Sequence, residues 1–497
     1  MTGAAAWWPG AIAAHQREDW QGCLTQLESL VAAVPTHVEA LRLRGDVLRR
    51  LNRLAEGEQS YAAAAALAPQ CFEVQQEWGR LLWQQQRYGE ACDRFGAALA
   101  LRPEDGNVRA DLGITLHMLG RTHEAVACLQ EVVAQDPNRA DVWAVLAIAQ
   151  GQLGQVDTAI VHFEKAVAIA PDNPQHWSNY GAFLSQNGEP QKALDCYEKA
   201  LALNPDLAAA LSNKGVLLKE LGRVDEGIAA CRQAIALAPD LADAHSNLGM
   251  LLKEKGKLEE AIAACQKALE LNPRSVSALN NLGNALQDKN EVARARRVYE
   301  QVIALNPQDA KAYGNLANAL QKEDEVEAAI VAYEQALAVQ PDYALALNNL
   351  GNAHLRKGDV TKAIECYQRA IAADPAYPEA RFHLGMAQLL TGKYEEGWAG
   401  YEYRWQMAEF LRQNGAPAFR VPQWDGSPGK RVLLVNEQGL GDRLQFVRYG
   451  ALVQAAGSVP IYPCPKVFGP VLAGCGALTE ILPEGPRCHP SMPMCPC

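Results

Sequence analysis

The stretch from Ala244 to Pro273 reads AHSNLGMLLKEKGKLEEAIAACQKALELNP, and its punctuation decides the fold. It closes on a proline. Prolines recur at 35, 69, 103, 137, 171, 205, 239, 273, 307, 341 and 375, and every interval is 34 residues. Proline lacks an amide hydrogen and its ring clashes with the preceding turn, so a helix stops at or just before it. Stops in strict register mark the close of successive supersecondary units, and a fixed period in this range is the signature of a stacked array.

Each unit is counted from the third residue after its proline, so one begins at Val38. The eighth position then reads Gly45, Gly79, Gly113, Ala147, Gly181, Gly215, Gly249, Gly283, Ala317, Gly351 and Gly385. The twentieth is likewise only Gly or Ala, from Gly57 to Gly397. Small residues at two fixed places let two antiparallel helices approach closely. The twenty-fourth position is mostly aromatic (Tyr61, Phe95, Phe163, Tyr197, Tyr299, Tyr333, Tyr367, Tyr401), which predicts filling of the space between neighbouring hairpins. The fifteenth carries Asn52, Gln86, Gly120, Gly154, Gly188, Gly222, Gly256, Asn290, Asp324, Gly358 and Gly392. All but Gln86 tolerate the left-handed conformation that ends a helix. Each unit therefore reads as helix, turn, helix, proline-marked turn.

This pattern resembles the tetratricopeptide repeat family, over roughly Ala4 to Leu411. The resemblance implies an all-α fold: a right-handed superhelix (α-solenoid) of about eleven to twelve hairpins. Residues 1–37 read as a degenerate N-terminal repeat acting as a cap, and 38–411 as the superhelix. The unit from Pro378 keeps Gly385 and Tyr401 but has Glu409 where the next proline would fall, so the array is expected to end there.

In such arrays the first helix of each hairpin lines the inner surface. Its sixth position carries Asn179, Asn213, Asn247, Asn281, Asn315 and Asn349 in six consecutive units, and Asn284, Asn318 and Asn352 follow three residues later in three of them. Residues three apart share a helix face, so the two rows form one polar stripe. A carboxamide both donates and accepts, and an extended peptide displays N–H and C=O groups at regular intervals. The stripe resembles the one in the repeat domains of O-GlcNAc transferases, which implies peptide binding through an asparagine ladder. Lys214, Lys219, Lys253 and Lys311 are basic neighbours able to add contacts to an acidic ligand. The alternative is that the asparagines only satisfy helix-terminal and turn groups.

Composition changes after Trp405. Residues 412–430 read as a linker rich in proline and glycine, and RVLLV (Arg431–Val435) as a buried strand. NEQGLGD follows, with Asp442 placed to cap a helix running roughly to Ala456. Ser458–Cys464 reads as a second strand, Val467–Gly474 as helix and Leu478–Leu482 as a third strand, the opening of a parallel α/β sheet. A glycine turn between strand and helix can cradle phosphate. Here it is GLGD rather than GxGxxG, since Leu444 stands at the third glycine's place. By itself that is equally a tight turn with no ligand.

The run PQWDGSPGKRVLLVNEQGLGDRLQFVRY (422–449) resembles the start of a glycosyltransferase domain related to the ADP-heptose heptosyltransferases, which have two Rossmann-like halves. The resemblance implies Gly439 and Gly441 in a phosphate or acceptor loop and Asp442 as general base toward an attacking hydroxyl. Only about fifty-five residues of such a domain are present, 431–485, without the half that holds the sugar nucleotide. The expectation is an incomplete, Rossmann-like fragment with no transfer activity. A sugar nucleotide would be a ligand only of a complete domain. Residues 486–497, PRCHPSMPMCPC, show no periodicity and read as a disordered tail, consistent with a truncated or shifted reading frame.

Bulk properties exclude other classes. The net charge is −11, from 46 basic and 57 acidic residues, with no like-charge block, so neither a nucleic-acid footprint nor an anionic membrane is indicated as partner. No apolar run is long enough to span a bilayer and no secretory signal opens the chain. Thirteen cysteines, an odd number scattered through predicted helices, fit a reducing cytoplasm better than a disulfide framework. Cys488, His489, Cys495 and Cys497 match no zinc spacing, and HExxH, P-loop and GxSxG motifs are missing, so no metal site and no cofactor are expected. Trp143 and Trp177, both at the fourth position, are assigned to packing.

Overall fold

The structure, a computed structural model, describes residues 4–407, 410–411, 426–435, 449–464, 480–483 and 494–496. From Val38 onward every first helix begins at the first position of its proline-counted unit. Examples are Val38–Arg50, Phe72–Gln84, Pro174–Gln186, Ala242–Glu254 and Pro378–Leu390. The second helix follows after three residues, as in Leu54–Leu67 and Leu258–Leu271. With the hairpin Ala4–Gln16 and Trp20–Ala33 before them, twelve hairpins stand among the described residues. They are called hairpins 1 to 12 in chain order.

Local chemistry sets each boundary. The residue before the first helix caps it in several hairpins: Asp105 Oδ1 accepts from the Val108 amide at 2.9 Å, and Asp309 Oδ1 from the Ala312 amide at 3.0 Å. The turn between helices needs a positive φ at the fifteenth position, and all eleven residues there have one. Gln86, with φ 61°, adopts it without being Gly, Asn or Asp. In the second turn the carbonyl of the unit-closing proline is bonded by the fourth residue of the next helix. Gln75, Trp143, Trp177 and His245 reach Pro69, Pro137, Pro171 and Pro239 in this way, at 2.8 to 3.1 Å. The two tryptophans thus pack and also satisfy an orphan carbonyl.

Within a hairpin the eighth and twenty-fourth positions meet. A Cβ on Gly351 would lie 2.5 Å from the Tyr367 ring, so only glycine lets the tyrosine seat there. Tyr61, Phe95, Phe163, Tyr197, Tyr299, Tyr333 and Tyr367 are all essentially fully buried. They also reach the next hairpin, as Phe163 does when it stacks on Tyr180 with centroids 5.3 Å apart.

The chain divides into two compact parts, Met1–Val298 and Tyr299–Cys497, the boundary falling inside the helix Val292–Leu305. In the first part the second helix of each hairpin packs on the first helix of the next, and neighbouring first helices also touch. The second part holds hairpins 10 to 12 with the same stacking. Its last second helix, Tyr394–Tyr401, is short and runs into a 3-10 turn, Glu402–Gln406, that packs on Pro378–Leu390.

Beyond it lies a small parallel sheet of β1 (Arg431–Val435), β2 (Val459–Cys464), β3 (Glu480–Pro483) and β4 (Met494–Pro496), in the order β3-β2-β1-β4. β1 is the strand expected from RVLLV, and Val432, Leu434 and Ile461 are buried. A helix at Gly450–Ala455 lies within the one expected to run to Ala456. The third strand is shifted two residues from its expected place. The 486–497 segment, expected to be disordered, contributes β4, whose Leu434↔Cys495 register pairs it with β1. Alternation was too short there to register as a strand. The expected helix Val467–Gly474 and the residues Gly439, Gly441 and Asp442 lie outside the described residues.

Candidate functional site

The sixth-position asparagines stand on the first helices. In the first part, Asn179, Asn247, Asn281 and the ninth-position Asn284 are half-buried and Asn213 is exposed. Their bonds run backward along the array. Asn247 Nδ2 donates to Ser212 Oγ of the preceding hairpin at 3.0 Å. Asn281 Nδ2 donates to the Ser246 carbonyl at 3.2 Å and to Ser246 Oγ at 3.1 Å. The Ser246 carbonyl can only accept, so the amide of Asn281 is committed to it and Oδ1 is the edge left over. Asn179 Oδ1 accepts from Gln175 Nε2 at 2.8 Å within its own helix. Asn213 bonds to no described side chain.

In the second part the arrangement differs. Asn349 Nδ2 donates to Asn318 Oδ1 of the preceding hairpin at 3.1 Å, and the Tyr333 hydroxyl donates to the same oxygen at 2.5 Å. Tyr367 likewise donates to Asn352 Oδ1 at 2.7 Å. The ninth-position asparagine is thus the acceptor for the twenty-fourth-position tyrosine of its own hairpin. Asn348 Nδ2 continues the chain to Asn349 Oδ1 at 3.1 Å, and Asn348 Oδ1 pairs with His383 Nδ1 at 2.8 Å. Burial pushes the His383 imidazole below its ordinary range, which keeps it neutral and lets Nδ1–H donate. Burial also raises the Tyr333 and Tyr367 phenols, so both remain protonated donors. Asn315 also stands half-buried at the sixth position. In Asn318 and Asn352 the oxygen is occupied and the Nδ2 edge is left over.

The partners that orient the ladder escaped the sequence reading: Ser212, Ser246 and Asn348 at the fifth position, His383 at the sixth, and the tyrosines. The signal was present as a repeated dipeptide, Ser-Asn at 178, 212 and 246 and Asn-Asn at 280 and 348. Of the basic neighbours, Lys214 is paired with Glu198 at 3.3 Å and Lys253 with Asp288 at 3.2 Å. Lys219 and Lys311 have no acidic partner among the described residues.

Toward the N-terminus the same positions change character. Asp46 pairs with Arg49 at 2.8 Å and Arg50 at 3.0 Å, and Arg80 joins Glu77 and Asp111, both at 3.0 Å. Burial works against the Asp46 carboxylate, yet hydrogen bonds and charge from Arg49 and Arg50 hold it below the usual range. Burial wins at Asp111, whose carboxyl is raised despite Arg80. Among the described residues no group of three metal-ligating side chains converges, and no helix is long and apolar enough to cross a membrane.

Comparison with known proteins agrees with the helical geometry. Tetratricopeptide repeat families match residues 10–70, 82–149, 242–275, 264–297, 298–331, 315–378 and 349–406. The family of the cilia and flagella-associated protein 70 middle TPR-like domain matches 149–240. No curated protein matches the chain. Among solved structures, the APC/C hetero-tetramer Cut9-Hcn1 is similar at 15% identity with a TM-score of 0.47, covering 78% of this chain and 96% of that one. That degree of likeness carries neither a shared function nor a partner across.

Proposed function

Tetratricopeptide repeats run from residue 10 to residue 406, and on that premise we propose that the chain is a protein-interaction scaffold binding extended peptide segments along its asparagine row. The observation that carries this reading is the way the amides are held. Inter-hairpin bonds fix Asn247 and Asn281 and leave one polar edge of each unused, which is preorganisation for a ligand that supplies the other half of a hydrogen bond. A backbone can do so at regular intervals without its side chains being read. The purely structural alternative explains the bonded edges but not Asn213, which is exposed and bonded to nothing described.

Asn213→Ala therefore separates the two readings. Peptides selected from a random library should bind this variant several-fold more weakly while its thermal unfolding stays unchanged. The combined Asn281→Ala, Asn315→Ala and Asn349→Ala variant should lose capture in a pull-down. Unchanged affinity in both would remove the ladder from the function.

A second reading concerns the sheet. Four parallel strands in the order β3-β2-β1-β4 support assigning it to the first half of a Rossmann-like, heptosyltransferase-like domain, in which ligands sit beyond the carboxyl end of β1. Gly439, Gly441 and Asp442 follow β1 directly in sequence. On this reading the repeats present protein substrates to a transferase. Calorimetric titration with UDP-GlcNAc and ADP-heptose tests it, and absence of heat with both counts against it. Cys23, Cys71, Cys92, Cys128, Cys196, Cys231, Cys265 and Cys366 are all free thiols, which supports a reducing, cytoplasmic setting.

A further inference from the structure

We infer that the peptide lying on the asparagine row carries apolar side chains at one end, taken up by an apolar strip on the first helices of hairpins 3 to 5. The inference rests on the peptide-binding reading and adds the part of the ligand that is recognised by sequence. The strip consists of Trp83, Ile114, Met118, Val145 and Ile148. They fall at the twelfth, ninth, thirteenth, sixth and ninth positions of their units, on the helix face that bears Asn179, Asn213, Asn247 and Asn281 farther along. All of these residues lie in the first compact part, and their helices touch in sequence from Phe72–Gln84 to Val276–Asp288.

Three observations single the strip out. Trp83 is 41% exposed and Met118 49%, while Ile114, Val145 and Ile148 pack in part against the core and remain half-exposed. The charges at the corresponding positions of hairpins 2 to 4, Asp46, Arg49, Glu77, Arg80 and Asp111, are closed on one another in ion pairs. From Asn179 onward the sixth position carries asparagine, while the ninth carries Ala182, Val216 and Met250 in hairpins 6 to 8 before Asn284. The strip thus runs straight into the amide row with no charged side chain at the sixth or ninth position of hairpins 5 to 8, the nearest charges on this face being Lys219 and Lys253 at the twelfth position, the latter paired with Asp288. Exposed indole and thioether groups are surfaces on which apolar side chains bind well. Neighbouring helices lie about 8–10 Å apart, which is roughly three residues of extended chain per hairpin. The apolar residues of the ligand should recur at about that interval at one end, and its other end should show no preference.

The test is to pan a random 16-residue peptide library against the full chain and measure affinities of the selected, fluorescein-labelled peptides by anisotropy. The expected result is apolar enrichment confined to one end. Trp83→Ser combined with Met118→Gln should weaken binding at least tenfold with thermal unfolding unchanged, because both side chains are exposed. Peptides with serine at the apolar positions should be equally weak and indifferent to that variant. Met118→Gln alone, the milder change, should weaken binding about threefold and covers the case in which the Trp83 variant folds poorly. Binding that ignores both strip variants while Asn213→Ala still weakens it overturns the strip alone. Uniform peptide composition, or concentration-dependent self-association that the strip variants abolish, also overturns it. If no peptide is enriched, the groove reading itself fails and the strip with it.

Discussion

Tyr367→Phe is the substitution that most directly tests what the second asparagine row does. The tyrosine is fully buried and its ring rests on Gly351, so phenylalanine keeps every apolar contact and removes only the hydroxyl. The lost bond is the 2.7 Å donation to Asn352 Oδ1. A buried hydrogen bond contributes about 1 kcal/mol net, and an acceptor left bare adds to that. Asn352 is half-buried, so water partly compensates, and the total should be about 1–2 kcal/mol. Tyr333→Phe should cost about half as much in the same place, because Asn318 Oδ1 keeps the Asn349 donor at 3.1 Å. Global melting is a poor readout in a repeat array, whose stability is a sum over neighbours. Hydrogen exchange followed by mass spectrometry on peptides from Ala344–Ala373 reads the hairpin itself, and about tenfold faster exchange corresponds to 1.4 kcal/mol. A cycle with Asn352→Ala should give a coupling near 1 kcal/mol. Additive effects, with coupling below about 0.3 kcal/mol, would refute the pairing of the ninth and twenty-fourth positions.

Three further outcomes follow from the fold. Gln86 holds φ 61° with an exposed side chain, so Gln86→Gly should stabilise hairpin 3 by about 0.5–1 kcal/mol, seen as slower exchange there. Burial pushes the Cys231 and Cys265 thiols up to about 12, so neither should react with iodoacetamide at pH 8 in the folded chain, and any labelling should track opening of hairpins 7 and 8. Burial lowers the pKa of His117, His162, His176, His354 and His383. Each is then neutral in the folded state while the unfolded chain takes up its proton first. Stability is complete above the ordinary histidine pKa of about 6.5 and falls below it, by up to about 1.4 kcal/mol per pH unit for each histidine until its folded pKa is passed. Urea midpoints that do not fall between pH 7 and 5 would contradict this.

How much of this was legible in the sequence depends on whether the signal was periodic. Proline spacing placed the first helices, because proline acts locally and recurs at the same place in every unit. Gln86 shows where local preference gives way: the stacked hairpins on either side hold its backbone in a conformation glutamine disfavours. The asparagine rows were visible, but their roles were not, since groups 15 to 35 residues away decide which edge most of these amides use. The tail strand Met494–Pro496 was missed for a related reason: three residues carry no pattern, and only pairing with β1 makes them a strand.

The split use of the amides bears on how such a row can serve both stability and binding. Had all the ladder asparagines presented both edges outward, each would lose side-chain entropy on ligand capture and gain little net from a bond that merely replaces water. Asn281 has already given up that freedom in folding, through two donations to Ser246. A ligand N–H meeting its oxygen therefore finds an acceptor already oriented. Asn318 and Asn352 are fixed through their oxygens by Tyr333 and Tyr367 and have the opposite polarity to offer, an N–H for a ligand carbonyl. On the proposed reading, the row in each compact part has its own polarity to offer, acceptors at Asn247 and Asn281 in the first and N–H donors at Asn318 and Asn352 in the second. Proline in the ligand, which has a carbonyl but no N–H, should accordingly be tolerated opposite hairpins 10 and 11 and excluded opposite hairpins 8 and 9. A selected-peptide profile in which proline is equally common at both would show that the bonded edges, and not the open ones, are the reason for the ladder.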